Sequence, residues 1–104
     1  MAIEGFDFQE FSKNLAQQAT SVVPADLSEN DKTYVINLVY SYCNLAGDAL
    51  SKDENINLNV EQASIVCQFI GEWSFHKSID VIRAGVPVDF RDEVMQKVAF
   101  TVFA

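Results

Sequence analysis

Pro24 and Pro87 are the only prolines of this chain, and each stands at the end of a stretch whose apolar residues recur at three- and four-residue steps. Proline lacks a backbone donor and clashes with the preceding turn, so a helix ends where one appears. Glycine is nearly as scarce, with only Gly5, Gly47, Gly71 and Gly85. So few backbone breakers favour a few long elements over many short strands. The 104 residues suffice for one core of packed helices and leave no room for a separate substrate-binding domain. The expectation is an all-α, four-helix domain formed by residues 1-104 as a single unit.

Periodicity places the helices near 6-23, 29-51, 60-84 and 89-103. In the first, Phe8, Phe11, Leu15, Ala19 and Val22 share a face that Lys13, Asn14 and Gln17 avoid. Ser28 reads as the N-cap of the second, with Glu29 and Asp31 placed at the positive end of its dipole. This helix is apolar nearly all round, apart from a narrow stripe of Asn37, Ser41, Asn44 and Asp48, and so belongs in the middle. Its β-branched and aromatic residues would suit a strand, but strict alternation fails at Tyr34-Val35-Ile36 and Leu38-Val39-Tyr40. Asn59, with Gln62 three residues later, forms a capping-box pattern for the third helix, and Gly85 before Pro87 ends it. Asp89 reads as the N-cap of the fourth, with Phe90, Val94, Val98 and Val102 along one face.

Charge narrows the possible partners. The formal net charge is −8, and the seven Lys and Arg residues form no cluster, so a phosphate-neutralising surface cannot be assembled and nucleic acid is not an expected partner. The same field disfavours anionic membranes and favours basic proteins. No apolar run approaches the roughly 20 residues of a membrane span, and Glu4, Asp7 and Glu10 stand where a secretory signal needs a basic flank. A cytoplasmic location, with reduced thiols, is the expectation.

Three places carry residues with chemical potential. Asp53, Asn55 and Asn57 occupy the first, third and fifth positions of an EF-hand loop, yet the sixth is Leu58 instead of glycine and the twelfth is Ser64 instead of glutamate. The segment therefore reads as a capped interhelical loop. Cys43 and Cys67 match no C-x-x-C pattern, but a hairpin of helices two and three turning about Asn55 brings positions equally distant from it to one level. That pairs the two cysteines as small, packed, buried thiols.

The third place is Gly71 to Asp80, which holds the only Trp and the only His of the chain. Glu72, His76 and Asp80 follow one another at four-residue steps along a single helix stripe. Di-iron bundles instead space Glu and His by three and repeat the motif on a second helix, which a lone His forbids. The apolar residues change direction here: Val60, Ala63, Val66, Cys67 and Ile70 lie on one side, and Phe75, Ile79 and Ile82 roughly 150° around it. The buried face is expected to change near Gly71.

These residues contain no complete catalytic set, and no cofactor or metal is expected. The reading they favour is a non-enzymatic protein–protein interaction module, acidic, and acting as a homodimer or on a basic protein partner. Phe69, Trp73, Phe75, His76, Ile79 and Phe100 are its candidate contact residues, because they offer apolar surface in more than one direction. The competing reading is a metal- or thiol-dependent activity centred on Glu72, His76 and Asp80 with Cys43 and Cys67.

Overall fold

The computed structural model describes residues 5-103, and these form four helices: α1 (Phe8–Val22), α2 (Glu29–Lys52), α3 (Val60–Arg83) and α4 (Val88–Phe103). No strand occurs among the described residues, as the periodicity predicts.

The helix ends are set by local chemistry. Asp7 caps α1 by accepting the Glu10 N–H at 3.1 Å, and Val23 turns extended ahead of Pro24. Ser28 caps α2 through the Asp31 N–H, also at 3.1 Å. At α3 the capping box closes reciprocally: the Asn59 side chain accepts the Gln62 N–H at 2.8 Å, while Gln62 accepts the Asn59 N–H at 3.1 Å. The same helix ends in a Schellman motif, with Gly85 at φ 79° and bonds from Gly85 N–H to Ile82 O and from Val86 N–H to Val81 O. At α4 the expectation needs correction. The helix begins at Val88, the Phe90 N–H is bound by the Pro87 carbonyl at 2.9 Å, and Asp89 lies inside the first turn instead of capping it.

The centre is an antiparallel hairpin of α2 and α3, the pair that packs most closely. From α2 it buries Val35, Val39, Cys43, Gly47 and Ser51 at strict four-residue steps. From α3 it buries Ala63, Cys67, Gly71, Ser74, Ser78 and Val81. Both ridges consist of small or β-branched side chains, which lets the two backbones approach. Here the structure overturns the expected change of face. The α3 stripe runs straight through Gly71, and its second half gains a further buried direction at Ile79 instead of exchanging one face for another.

Helix α1 runs antiparallel to α2 along this seam. Phe8 covers Gly47, where an added Cβ would come within 2.6 Å of the Phe8 Cγ, and Leu15 covers Gly71, its Cδ1 3.0 Å from the equivalent point. Between them Ser12 is fully buried, with its hydroxyl donating to the Phe8 carbonyl at 2.7 Å.

Helix α4 closes the other side. Among its described side chains Arg91 and Met95 are buried and Val94 and Val98 half-buried, so its inner face is shifted from the expected Phe90-Val94-Val98-Val102 stripe: Phe90 is 55% exposed, and the Val102 side chain lies outside the described residues. Arg91 reaches back to α2, donating to Asp31 at 2.8 Å and lying over the Tyr34 ring.

Candidate functional site

Two features stand out, and they lie near each other. The first is a groove of about 480 Å³ between α1 and α3. Leu15 and Ala19 of α1, Val39 of α2, and Gly71 and Phe75 of α3 supply apolar lining, while Gln18, Glu72 and His76 bring polar groups. Its size and mixed lining fall within the range of natural binding pockets. Val22 also borders it and is 67% exposed.

At Gly71 α3 carries no side chain, so Leu15 and Val39 pack close to its backbone along one wall of the groove. His76 packs edge-on against the Phe75 ring, centroids 5.4 Å apart. Glu72 accepts a hydrogen bond from the Gln68 amide at 3.1 Å and has no bridging cation among the described residues. Asp80, the third member of the stripe, stands beyond the groove beside Lys77 at 3.9 Å. Glu72, His76 and Asp80 therefore share a solvent-facing stripe without converging. Among the described residues no group of three or more His, Cys, Asp and Glu is placed to hold a metal ion.

The second feature is the thiol pair. Cys43 and Cys67 are both free and fully buried, and they are neighbours across the hairpin, as its register predicts. Their environments differ. The neighbouring Cys67 thiol favours the Cys43 thiolate, against the opposing effect of burial. Cys67, beside Cys43 and equally buried, is held well above the ordinary thiol range. The groove and the pair are adjacent: a Cβ at Gly71 would lie 3.7 Å from Val39 Cγ1 and 3.8 Å from Cys43 Cβ.

The remaining candidates are dispersed. Trp73 is half-buried and stacks on Tyr42 of α2 with centroids 6.1 Å apart, on a different side of α3 from Phe75. Phe69 is 57% exposed. Ile79 is 7% exposed and belongs to the core, so it is withdrawn from any partner. Phe100 lies in α4, and its side chain falls outside the described residues. Sequence reading missed Leu15, Gln18 and Ser12, since nothing in α1 alone tells which part of α3 it covers.

Tyr34 also escaped notice. Burial raises its phenol, and the Asp92 carboxylate, 3.4 Å from its hydroxyl, adds to the effect, so its pKa is pushed up to about 12.

Comparison with known proteins gives no matching family, no matching characterised protein and no matching solved structure.

Proposed function

We propose that this chain is a non-enzymatic interaction module that binds a basic protein segment, whose large apolar side chain seats in the groove between α1 and α3. The observation carrying this reading is the combination of an open apolar groove with an uncompensated carboxylate, Glu72, at its edge. The charge distribution supports it. Six of the seven Lys and Arg side chains are engaged by carboxylates of the same chain, which leaves a surplus of free carboxylates to meet a cationic partner. Such complementarity steers encounter, while an apolar anchor in a preformed pocket supplies affinity.

The test is site-directed photo-crosslinking from position Val22, at the groove, with Asn37 on the exposed polar stripe of α2 as the control site. The reading expects capture from Val22 alone, lost at high salt, of a segment that carries Lys or Arg around a single Leu, Phe or Met. Capture of a second copy of this chain would replace the basic partner by a homodimer. Equal capture from both positions would remove the groove from the account.

A further inference from the structure

Given the groove as the binding site proposed above, we infer that its occupant is an amphipathic helix of the basic partner, laid antiparallel to α1 and α3, with a Lys or Arg of its last turn beside Glu72.

What the walls can offer a backbone decides the form of the occupant. Gly71 to His76 lie inside α3 and Val39 lies inside α2, so their N–H and C=O groups are bound along their own helices. An extended segment binds by adding main-chain hydrogen bonds to a sheet edge, and no strand occurs among the described residues. Laid in this groove, such a segment would lose water from its amides and gain no partner for them. A helix brings its own hydrogen bonds and presents only side chains.

The dimensions agree. On α1 the groove runs from Leu15 to Val22, which is about two turns and roughly 10 Å at the helical rise. Because α1 and α3 both run antiparallel to α2, they are parallel to each other, with Val39 buried at the base of the trough between them. Helix α4 contributes no described residue to it. A helix placed there packs on α1 and α3 together, with its large anchor in the groove and a small residue one turn away on the same face.

Charge sets the direction. Leu15 meets α3 at Gly71, so the neighbouring Glu72 stands at the Leu15 end. The Val22 end is the C-terminus of α1, the negative end of its dipole, and the last turn there holds no basic residue. A helix antiparallel to α1 brings its positive N-terminus to that end and its last turn to Glu72. A cation in that last turn is then favoured by its own helix dipole and by the carboxylate. The parallel orientation loses both effects, since it puts two negative helix ends together and the cation in a first turn.

The experiment titrates the isotope-labelled protein with three synthetic peptides of about 18 residues, long enough to form helix. The first has one Leu and small Ala residues along a stripe, Gln elsewhere, and two Lys in its last turn. The second moves the Lys residues to the first turn, and the third is the first with a proline at its centre. The first peptide should shift amide resonances around Gly71 and Ala19 but not at Asn37, gain helicity on binding, and bind several-fold more tightly than the second. A nitroxide at its N-terminus should broaden Val22 more than Leu15. Glu72→Gln, at an exposed position that can still accept from Gln68, should keep the fold and shrink the preference between the first two peptides. What preference remains measures their own difference in helicity.

Equal binding of the first two peptides to the wild type, or stronger broadening at Leu15, would overturn the inference through its orientation. Equally strong groove shifts with the proline peptide would overturn it through its form, while leaving the groove as a site for a non-helical basic segment. Shifts outside the groove with all three would remove the groove reading as well.

Discussion

Arg91 and Asp31 join α4 to the start of α2 across 2.8 Å, with only 11% and 23% of their side chains exposed. The guanidinium also lies 5.5 Å from the centre of the Tyr34 ring and donates to the Val86 carbonyl at 3.4 Å. It thus gathers the turn before α4, an aromatic of α2 and an acid of the α2 first turn around one buried cation. By comparison, the exposed pairs Lys52–Asp48 and Lys97–Glu93 join residues on one helix and contribute little.

Removing one partner of a mostly buried pair strands the other, so Arg91→Ala should destabilise the protein by about 2 kcal/mol in urea unfolding, between the exposed and fully buried limits. Arg91→Lys should recover less than half of that, because an ammonium cannot make the same fork while covering the tyrosine ring. Full recovery by lysine would reduce the contact to simple charge pairing.

Gly47 gives a second prediction, in which two effects of opposite sign compete. Alanine is the better helix former by roughly 1 kcal/mol. Against that, its methyl would meet Phe8 at ring and Cβ, with the Phe8 Cγ only 2.6 Å away, and overpacking of this kind costs about 1–3 kcal/mol. Since the obstruction includes the base of the Phe8 side chain, it cannot rotate out of the way, and α1 itself must move. Gly47→Ala should lower stability by about 1 kcal/mol net. It should also speed hydrogen exchange in α1 more than in α3. Unchanged protection in α1 would show that Phe8 yields without moving its helix.

The distinction between legible and hidden parts of this fold follows from the range of each interaction. Ser28, the Asn59–Gln62 box and Gly85 act within three or four residues, so their effects can be read in the chain. That Cys43 and Cys67 are neighbours was also readable, because the loop between α2 and α3 fixes the hairpin register. The α3 core was harder. Gly71, Ser74 and Ser78 carry no apolar signal, yet they are the residues that let the helices approach, and the two serines satisfy their hydroxyls on the Gly71 and Phe75 carbonyls. Counting only large apolar residues therefore made the face appear to turn. Arg91 was hidden for a different reason: its burial depends on Asp31, far away in the chain. The groove likewise depends on the placement of α1, which the α1 sequence does not specify.

Tyr34 makes stability depend on alkaline pH. A phenol whose pKa is raised in the folded state holds its proton more tightly there than in the unfolded chain. The associated stability is complete below pH 10, the ordinary tyrosine value, and is lost as pH rises from about 10 to about 12. Burial is the larger cause and the Asp92 carboxylate the next. Asp92→Asn should therefore shift the Tyr34 titration part of the way down, as read by ultraviolet absorbance of tyrosinate. Tyr34→Phe should flatten the stability profile across that interval, although Tyr42, also raised by burial and then by Asp92, will leave a residual slope. An Asp92→Asn titration superimposable on the wild type would assign the effect to burial alone.

Ser51 closes the buried ridge of α2 at 7% exposure, and its hydroxyl has no hydrogen-bond partner among the described residues. Ser74 and Ser78, fully buried in α3, are both satisfied, so the three positions separate a hydroxyl that has a partner from one that does not. Desolvating an unmatched hydroxyl opposes folding by about 1–3 kcal/mol, and serine is also a poorer helix former than alanine. Ser51→Ala should thus be neutral or stabilise the protein, by up to about 1 kcal/mol in urea unfolding. Ser74→Ala, which removes a satisfied bond, should be destabilising by about 1 kcal/mol relative to Ser51→Ala. If Ser51→Ala proves the more damaging of the two, Oγ of Ser51 has a partner, such as an ordered water between α2 and its neighbours.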